Sequence, residues 1–99
     1  MRFGSGLWVF GQFVDRYATD AYGPPVSTIE AIEMAGRVGD LEVLDINFPF
    51  SDPDIEVADV RRALDAAGLR TWCITPHIYT REFTGGAFTN PDPSVNSRV

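Results

Sequence analysis

Four side chains of this 99-residue sequence have types and positions that could support chemistry. Asp45 and Asn47 alternate near the end of an otherwise apolar segment, Trp8 lies in an aromatic segment near the start, and His77 is the single histidine. A carboxylate and an amide can bind ligand hydroxyl groups, and an imidazole can also act as a general acid or base. An indole offers a flat apolar face for packing. These four residues are therefore the candidates for a ligand-binding site.

Each candidate also has a structural interpretation, which the sequence leaves open. Trp8 can be a core or rim aromatic, and Asp45 and Asn47 can be polar residues that face water at a strand end. A lone histidine is more often a surface or hydrogen-bonded structural residue, and one histidine cannot form a metal site by itself. Burying a polar group without partners costs about 2–7 kcal/mol even when it is neutral, so the position of Asp45 favours function.

Other motifs exclude several kinds of site. Gly85-Gly86 lacks the phosphate-binding pattern Gly-x-x-x-x-Gly-Lys-Ser/Thr, and the sequence contains no lysine, so we interpret this pair as part of a flexible loop that shapes a pocket. The single cysteine, Cys73, rules out an internal disulfide and a cysteine-cluster metal site. Its apolar neighbours predict that it is a small buried hydrophobe.

The composition is that of a globular protein with an acidic charge balance. Fourteen acidic and eight basic residues give a net charge of −6. Because no basic block is available to neutralise phosphates, nucleic-acid binding is not expected, and an acidic chain is repelled by anionic membrane surfaces. The N-terminus does not resemble a signal peptide, and no segment approaches the roughly 18 apolar residues of a membrane span. We therefore expect a cytoplasmic protein without nucleic-acid or membrane partners.

The hydrophobic pattern predicts the elements that carry these residues. Residues 2–10 are aromatic, β-branched and punctuated by glycine, which predicts a short strand with one face too crowded for side chains. A long loop, 11–26, follows. Ser27 and Glu30 have the spacing of a capping box and predict the start of a helix that Gly39 ends. The apolar stripe of this helix is predicted to consist of Ile29, Ile32, Ala35 and Val38.

The second half of the sequence repeats this alternation. Residues 41–48 are predicted to form a strand, 55–67 a helix and 69–78 a third strand. Asp92 followed by Pro93 predicts the start of a further helix. The predicted apolar face of the helix over 55–67 consists of Val57, Val60, Leu64 and Ala67.

Strands that alternate with single amphipathic helices predict an α/β fold with right-handed crossovers and a parallel sheet. Because buried parallel strands need cover on both faces, three strands and two helices indicate two and a half β/α units of something larger.

Several segments resemble the N-terminal third of xylose isomerases and xylose isomerase-like TIM-barrel proteins. They are Phe3-Gly-Ser-Gly-Leu-Trp8, the Tyr22-Gly23 loop, Arg62–Leu69 and, most specifically, Gly85-Gly-Ala-Phe-Thr-Asn-Pro-Asp-Pro-Ser-Val95. Together they cover essentially the whole chain in the right order. The resemblance implies an incomplete (β/α)₈ TIM barrel, in which residues 1–99 are an N-terminal fragment with the first three β strands and two helices.

The resemblance also implies a function. It implies metal-dependent aldose–ketose isomerisation or epimerisation with divalent ions (Mg²⁺, Mn²⁺ or Co²⁺) whose carboxylate ligands lie on later strands that are absent here. Trp8 matches a family tryptophan that lines the sugar pocket. A histidine on the family's second strand assists opening of the sugar ring, and here Asn47 or, in a shifted register, Ile46 stands in its place. This difference favours a related branch that acts on another sugar.

The leading hypothesis is that Trp8, Asp45, Asn47 and His77 bind a sugar substrate, with no catalytic role assigned to any residue. The isolated chain is expected to be inactive, since it is less than half of a barrel. An alternative is a non-catalytic fragment whose exposed sheet edge pairs with another chain, and we expect a homo-oligomer or association through such edges. A third hypothesis, the metal-dependent DNA-repair endonuclease branch of this barrel, is disfavoured by the acidic charge.

Overall fold

The computed structural model describes residues 2–11, 17–18, 22–50 and 52–99. The strands in this part of the chain form one parallel sheet in the order β1-β2-β3, so the predicted parallel sheet and β-α-β-α-β alternation are confirmed. The strands are β1 (Phe3–Gly6), β2 (Leu41–Phe48) and β3 (Arg70–Pro76), and the α-helices are α1 (Thr28–Arg37), α2 (Val57–Ala67) and the short α3 (Pro93–Asn96).

The two longer helices begin at residues that satisfy free backbone N–H groups. Ser27 Oγ accepts from the Glu30 N–H at 3.1 Å, and Glu30 Oε2 accepts from the Ser27 N–H at 3.2 Å, which confirms the predicted capping box. Before α2, Asp59 Oδ2 accepts from the Glu56 N–H at 2.9 Å. This helix therefore begins at Val57, two residues later than predicted. No helix in the described part of the chain is long and apolar enough to cross a membrane.

The hydrophobic core lies between the helices and one face of the sheet. On β2, Leu44 and Ile46 are buried in this core. The other buried apolar residues of the cluster come from α1, α2 and the segments beside the strands: Leu7, Ala31, Ile32, Ala35, Val60, Leu64 and Leu69. Because successive side chains of a strand point to opposite faces, Asp45 and Asn47 lie on the other face of β2. We call the two faces of the sheet the helix face and the polar face.

β1 is shorter than predicted but has the predicted crowded face. The strand ends at Gly6, and Leu7–Phe10 form a 3₁₀ turn, so Trp8 lies just beyond the strand and not in it, whereas the predicted strand over 2–10 includes it. A Cβ on Gly4 would lie only 2.6 Å from Val43 Cγ2. Of the predicted loop over 11–26, residues 12–16 and 19–21 lie outside the described residues.

Three residues that were predicted to be buried are exposed. Val38 caps the end of α1 and Val57 is the first residue of α2. Both fit the apolar spacing of their helices, but at the helix ends they no longer contact the core. Cys73 of β3 is exposed. None of the residues of β3 belongs to the core cluster. The prediction of a buried cysteine is wrong, since the apolar composition of β3 does not reflect burial within this chain.

Candidate functional site

Asp45 and Thr75 form a hydrogen-bonded pair that joins β2 to β3 on the polar face. Thr75 Oγ1 lies 3.0 Å from each of the two carboxylate oxygens of Asp45, so the hydroxyl donates to the carboxylate. Both residues are half-buried. Hydrogen bonds to an ionised acceptor are stronger than those between neutral groups. The pair therefore holds the Asp45 carboxylate in a defined position while leaving it accessible from one side.

Asn47 is buried next to this pair. It is in register with Thr75 and only 4% exposed. Its Oδ1 has no hydrogen-bond partner among the described residues. A buried acceptor without a partner costs about 1–3 kcal/mol. A ligand hydroxyl or N–H group that donated to Oδ1 would remove this cost, and it would reach this covered atom only by displacing a neighbouring group.

The structure shows which of Asn47 and Ile46 lies on the polar face of β2. Ile46 belongs to the helix-face core, and Asn47 points to the opposite face. Of the two alternatives in the sequence, Asn47 therefore occupies the face that carries Asp45.

Trp8 reaches the polar face from the other side of β2. Gly6 of β1 is in register with Asp45, so the two residues share this face. A Cβ on Gly6 would collide with the six-membered ring of the Trp8 indole, so the indole covers Gly6 there. Trp8 is 42% exposed, which leaves part of its surface available to a ligand.

His77 follows β3 at the same end of the sheet. Its backbone N–H donates to the carbonyl oxygen of Phe48 at 2.8 Å, which extends the pairing of β2 and β3 one residue past Pro76. The residue is half-buried, and this burial lowers the pKa of His77 below its ordinary value. The imidazole is therefore neutral at pH 7, a form with one donor and one acceptor nitrogen.

The four predicted residues thus lie at the carboxyl ends of three adjacent strands, and their role in binding stays a prediction. Asp45 and Asn47 share the polar face, Trp8 packs on it, and His77 continues from β3. Sequence reasoning missed Thr75, which binds Asp45. The available signal was a hydroxyl residue near the end of an aromatic and β-branched strand, two residues before His77.

A separate shallow pocket lies between α1, α2 and the loop before α2, and none of the four predicted residues lines it. Its walls include side chains from 27–33, 52–55 and 59–63. Two of its carboxylates have structural partners: Asp52 Oδ2 accepts from the Thr28 N–H at 2.9 Å, and Asp59 pairs with Arg62. We therefore assign this pocket to helix capping and packing.

A divalent metal ion does not fit the described residues. Hard cations require several oxygen ligands in one place. In residues 2–11, 17–18, 22–50 and 52–99, no group of three or more His, Cys, Asp or Glu side chains is arranged to hold an ion. Asp45 is the one carboxylate placed on the polar face by the strand register, and its two oxygens share the single hydroxyl hydrogen of Thr75.

Comparison with known proteins finds similarity to a xylose isomerase. The chain is 29% identical over 108 aligned positions to the xylose isomerase of Thermus thermophilus. The alignment covers 97% of this chain and 27% of that enzyme, so the chain spans about a quarter of the length of this curated relative. No family model matches the chain. The similarity supports a distant xylose isomerase-like relationship, and the structure is a small α/β unit compatible with part of a β/α fold.

Proposed function

We propose that the polar face of this chain binds a sugar and belongs to a sugar isomerase or epimerase built on a (β/α)₈ barrel. The observation that carries the proposal is the buried, unpaired Oδ1 of Asn47 beside the Asp45–Thr75 pair. The distant similarity to a xylose isomerase supports the substrate class. The parallel sheet supports the architecture, because active sites of such barrels lie at the carboxyl ends of the strands.

Each residue in the proposed site has a distinct task. Asn47 Oδ1 accepts a hydrogen bond from one sugar hydroxyl, and the Asp45 carboxylate, held by Thr75, accepts from a neighbouring hydroxyl. Trp8 offers the exposed part of its indole to the C–H side of the sugar. The neutral imidazole of His77 donates to or accepts from a hydroxyl at the outer end of the site.

The proposal gives the described residues of this chain a substrate-binding role and no metal-binding role. Divalent ions would supply polarisation of adjacent sugar oxygens in such chemistry. The described residues offer no such cluster of ligands, so the proposal assigns them no metal. Their proposed task is to orient the bound sugar.

An NMR titration of the ¹⁵N-labelled chain tests the binding site. The ligands are aldoses and ketoses of five and six carbons, including xylose, each added to high millimolar concentration. We expect saturable shifts of the Trp8 indole N–H and of the Asn47 backbone and side-chain amides. The affinity should be in the millimolar range, about −4 kcal/mol or weaker, because only part of a pocket is present.

Two variants provide the controls for this titration. Asn47→Leu removes the unpaired acceptor and should abolish the saturable shifts. Glu33→Gln changes a carboxylate of the pocket between the helices and should leave them unchanged. Shifts confined to the pocket between the helices, or no saturable shift with any sugar, would contradict the proposed site.

A turnover assay tests the assignment of roles. Purified residues 1–99 are incubated with the same sugars and Mg²⁺, Mn²⁺ or Co²⁺, and we expect no conversion above the control that contains metal alone. Conversion by a monodisperse sample of this chain would show that its own residues form a complete active site.

A further inference from the structure

The oxygen atoms of the proposed sugar site are all hydrogen-bond acceptors toward a ligand. Thr75 Oγ1 has one hydrogen, and the Asp45 carboxylate already accepts it, since both carboxylate oxygens lie 3.0 Å away. The hydroxyl oxygen and the carboxylate therefore offer a ligand only lone pairs. Asn47 Oδ1, buried on the same face, is a further acceptor without a partner among the described residues. The site thus favours ligand groups that donate.

The Asp45 carboxylate has a hydrogen-bond partner but no positively charged one. Among the residues that the structure describes, none of the ion pairs involves Asp45. Arg2 and Arg70 both pair with Glu42, which lies near the start of β2 and thus at the opposite end of the sheet. The carboxylate is half-buried, so its charge is less screened by water than that of a fully exposed group.

The indole of Trp8 lies flat over Gly6 on the same face. A Cβ on Gly6 would meet three consecutive atoms of the six-membered ring, Cε2, Cζ2 and Cη2, at similar distances. Similar distances to neighbouring ring atoms place that point over the ring, because a point beside the ring edge is much closer to one atom than to the others. One face of the ring is therefore directed at the sheet and the other away from it, and Trp8 is 42% exposed.

The carboxylate and the indole are close enough to act on one ligand group. Gly6 is in register with Asp45, and neighbouring strands lie about 4.8 Å apart. An indole face attracts a cation within about 6 Å of the ring centre. A cation bound to the Asp45 carboxylate thus has the outer face of the indole within reach. Both groups favour positive charge, and they do so at the same place on the polar face.

We propose that this site binds a sugar carrying a protonated amino group more tightly than the neutral sugar of the same configuration. The ammonium group takes the place of one hydroxyl, donates to the Asp45 carboxylate and lies against the outer face of the Trp8 indole. An ammonium group has three donors and no lone pair, so it matches a site made of acceptors better than a hydroxyl does. A neighbouring sugar hydroxyl donates to Thr75 Oγ1. The inference rests on the proposed function, because it names the class of sugar that the same site takes.

Paired ligands test the preference on the wild-type chain. In the NMR titration, 2-amino-2-deoxyglucose is compared with glucose, and 2-amino-2-deoxygalactose with galactose, at a pH at which the amine is protonated. Physiological ionic strength screens distant exposed charges. The backbone amide signals of β2 should give a dissociation constant at least about fivefold lower for each amino sugar. The N-acetylated derivatives keep the ring but lose the charge, and they should lose this advantage.

Three variants assign the preference to its source. Asp45→Asn removes the charge but keeps an acceptor for Thr75, so it should bind both members of a pair about equally. Glu33→Gln is the matched control, because it removes one exposed carboxylate of the pocket between the helices and changes the net charge by the same amount. It should keep the full preference. Trp8→Leu removes the aromatic face and should reduce the preference by about half.

The outcomes separate this inference from sugar binding itself. Equal affinity for the amino sugar and its neutral partner in the wild-type chain would overturn the inference and leave sugar binding in place. A preference that persists in Asp45→Asn, or that Glu33→Gln also abolishes, would overturn it as well. An unchanged preference in Trp8→Leu would overturn the part given to the indole.

Ethanolamine provides the last comparison, since it carries an amine and a hydroxyl but no sugar ring. It should bind more weakly than either amino sugar. Binding as tight as that of the amino sugars would show a site for amines in general and would overturn the inference. The absence of saturable shifts with every ligand would contradict the proposed function and this inference together. The ligand comparison uses the wild-type chain, so it decides the question even if a variant fails to fold.

Discussion

The two faces of β2 differ in what satisfies their buried side chains. On the helix face, Leu44 and Ile46 are surrounded by apolar residues of α1 and α2. On the polar face, Asn47 is almost as deeply buried, yet its Oδ1 has no partner among the described residues. Both kinds of burial occur within four consecutive residues of one strand, so local backbone structure cannot explain the difference.

This contrast separates stability from function. Burying Leu44 and Ile46 stabilises the fold by removing apolar area from water, and each such side chain contributes about 1.5–3 kcal/mol. Burying the Asn47 acceptor without a partner has the opposite effect and destabilises the fold. Residues that destabilise the fold to which they belong are expected at functional sites. The polar face is therefore the face on which to look for a ligand.

Truncation of the helix face should give the largest effect. Leu44→Ala removes a fully buried side chain and leaves a cavity, so we expect the free energy of unfolding to fall by about 2–5 kcal/mol, measured by urea denaturation. The matched control is Val57→Ala, an exposed apolar residue of α2, which should change it by no more than about 0.5 kcal/mol. Equal effects of the two substitutions would mean that the helix face is not the core.

The opposite sign is expected on the polar face. Asn47→Leu keeps the branching of the side chain but removes the unpaired acceptor, so the free energy of unfolding should rise by about 1–3 kcal/mol in the same assay. Sugar-induced shifts should be lost at the same time. A destabilised variant would indicate that Asn47 already has a partner that the fold requires, and the contrast between the two faces would then disappear.

The sequence predicts the fold well wherever local signals determine the structure. The Ser27–Glu30 capping box depends on four consecutive residues, and it is present as predicted. The span of β2 follows from an apolar run between turn residues and is also confirmed. Burial depends on neighbours that are distant in sequence. Cys73 shows the limit, because an apolar strand is buried only if another element covers it.

The candidate site is predictable in part for the same reason. Alternation along β2 places Asp45 and Asn47 together, but only the pairing of β2 with β3 brings Thr75 to the Asp45 carboxylate. The cover of Gly6 by Trp8 likewise depends on the 3₁₀ turn after β1, and the aromatic pattern gives no sign that the strand ends before the indole.

The contact of Trp8 with the polar face gives a third prediction of smaller size. Gly6→Ala places a methyl group where the indole lies, so the ring must move and the free energy of unfolding should fall by about 1 kcal/mol. The Trp8 indole N–H signal should shift with it. Gly85→Ala is the matched control, since a Cβ there meets only Asn90 Nδ2 at 3.6 Å and should leave both stability and the indole signal unchanged. An unmoved indole in Gly6→Ala would place Trp8 away from this face.

The smallest expected effect is the pH dependence that arises from His77, at the outer end of the polar face. Burial lowers the pKa of His77 in the folded state, whereas the unfolded chain titrates near 6.5. Between these two values the unfolded state binds more protons, so the free energy of unfolding falls as the pH decreases through this window and becomes constant, for this group, below the folded-state pKa. Urea denaturation from pH 7.5 to 5 should show this loss in the wild-type chain. His77→Gln cannot titrate and should show a smaller loss, and the difference between the two curves isolates the histidine from the carboxylates. The imidazole signal of the folded protein should titrate with a midpoint below 6.5. A midpoint at or above that value would show that burial does not control the titration of His77.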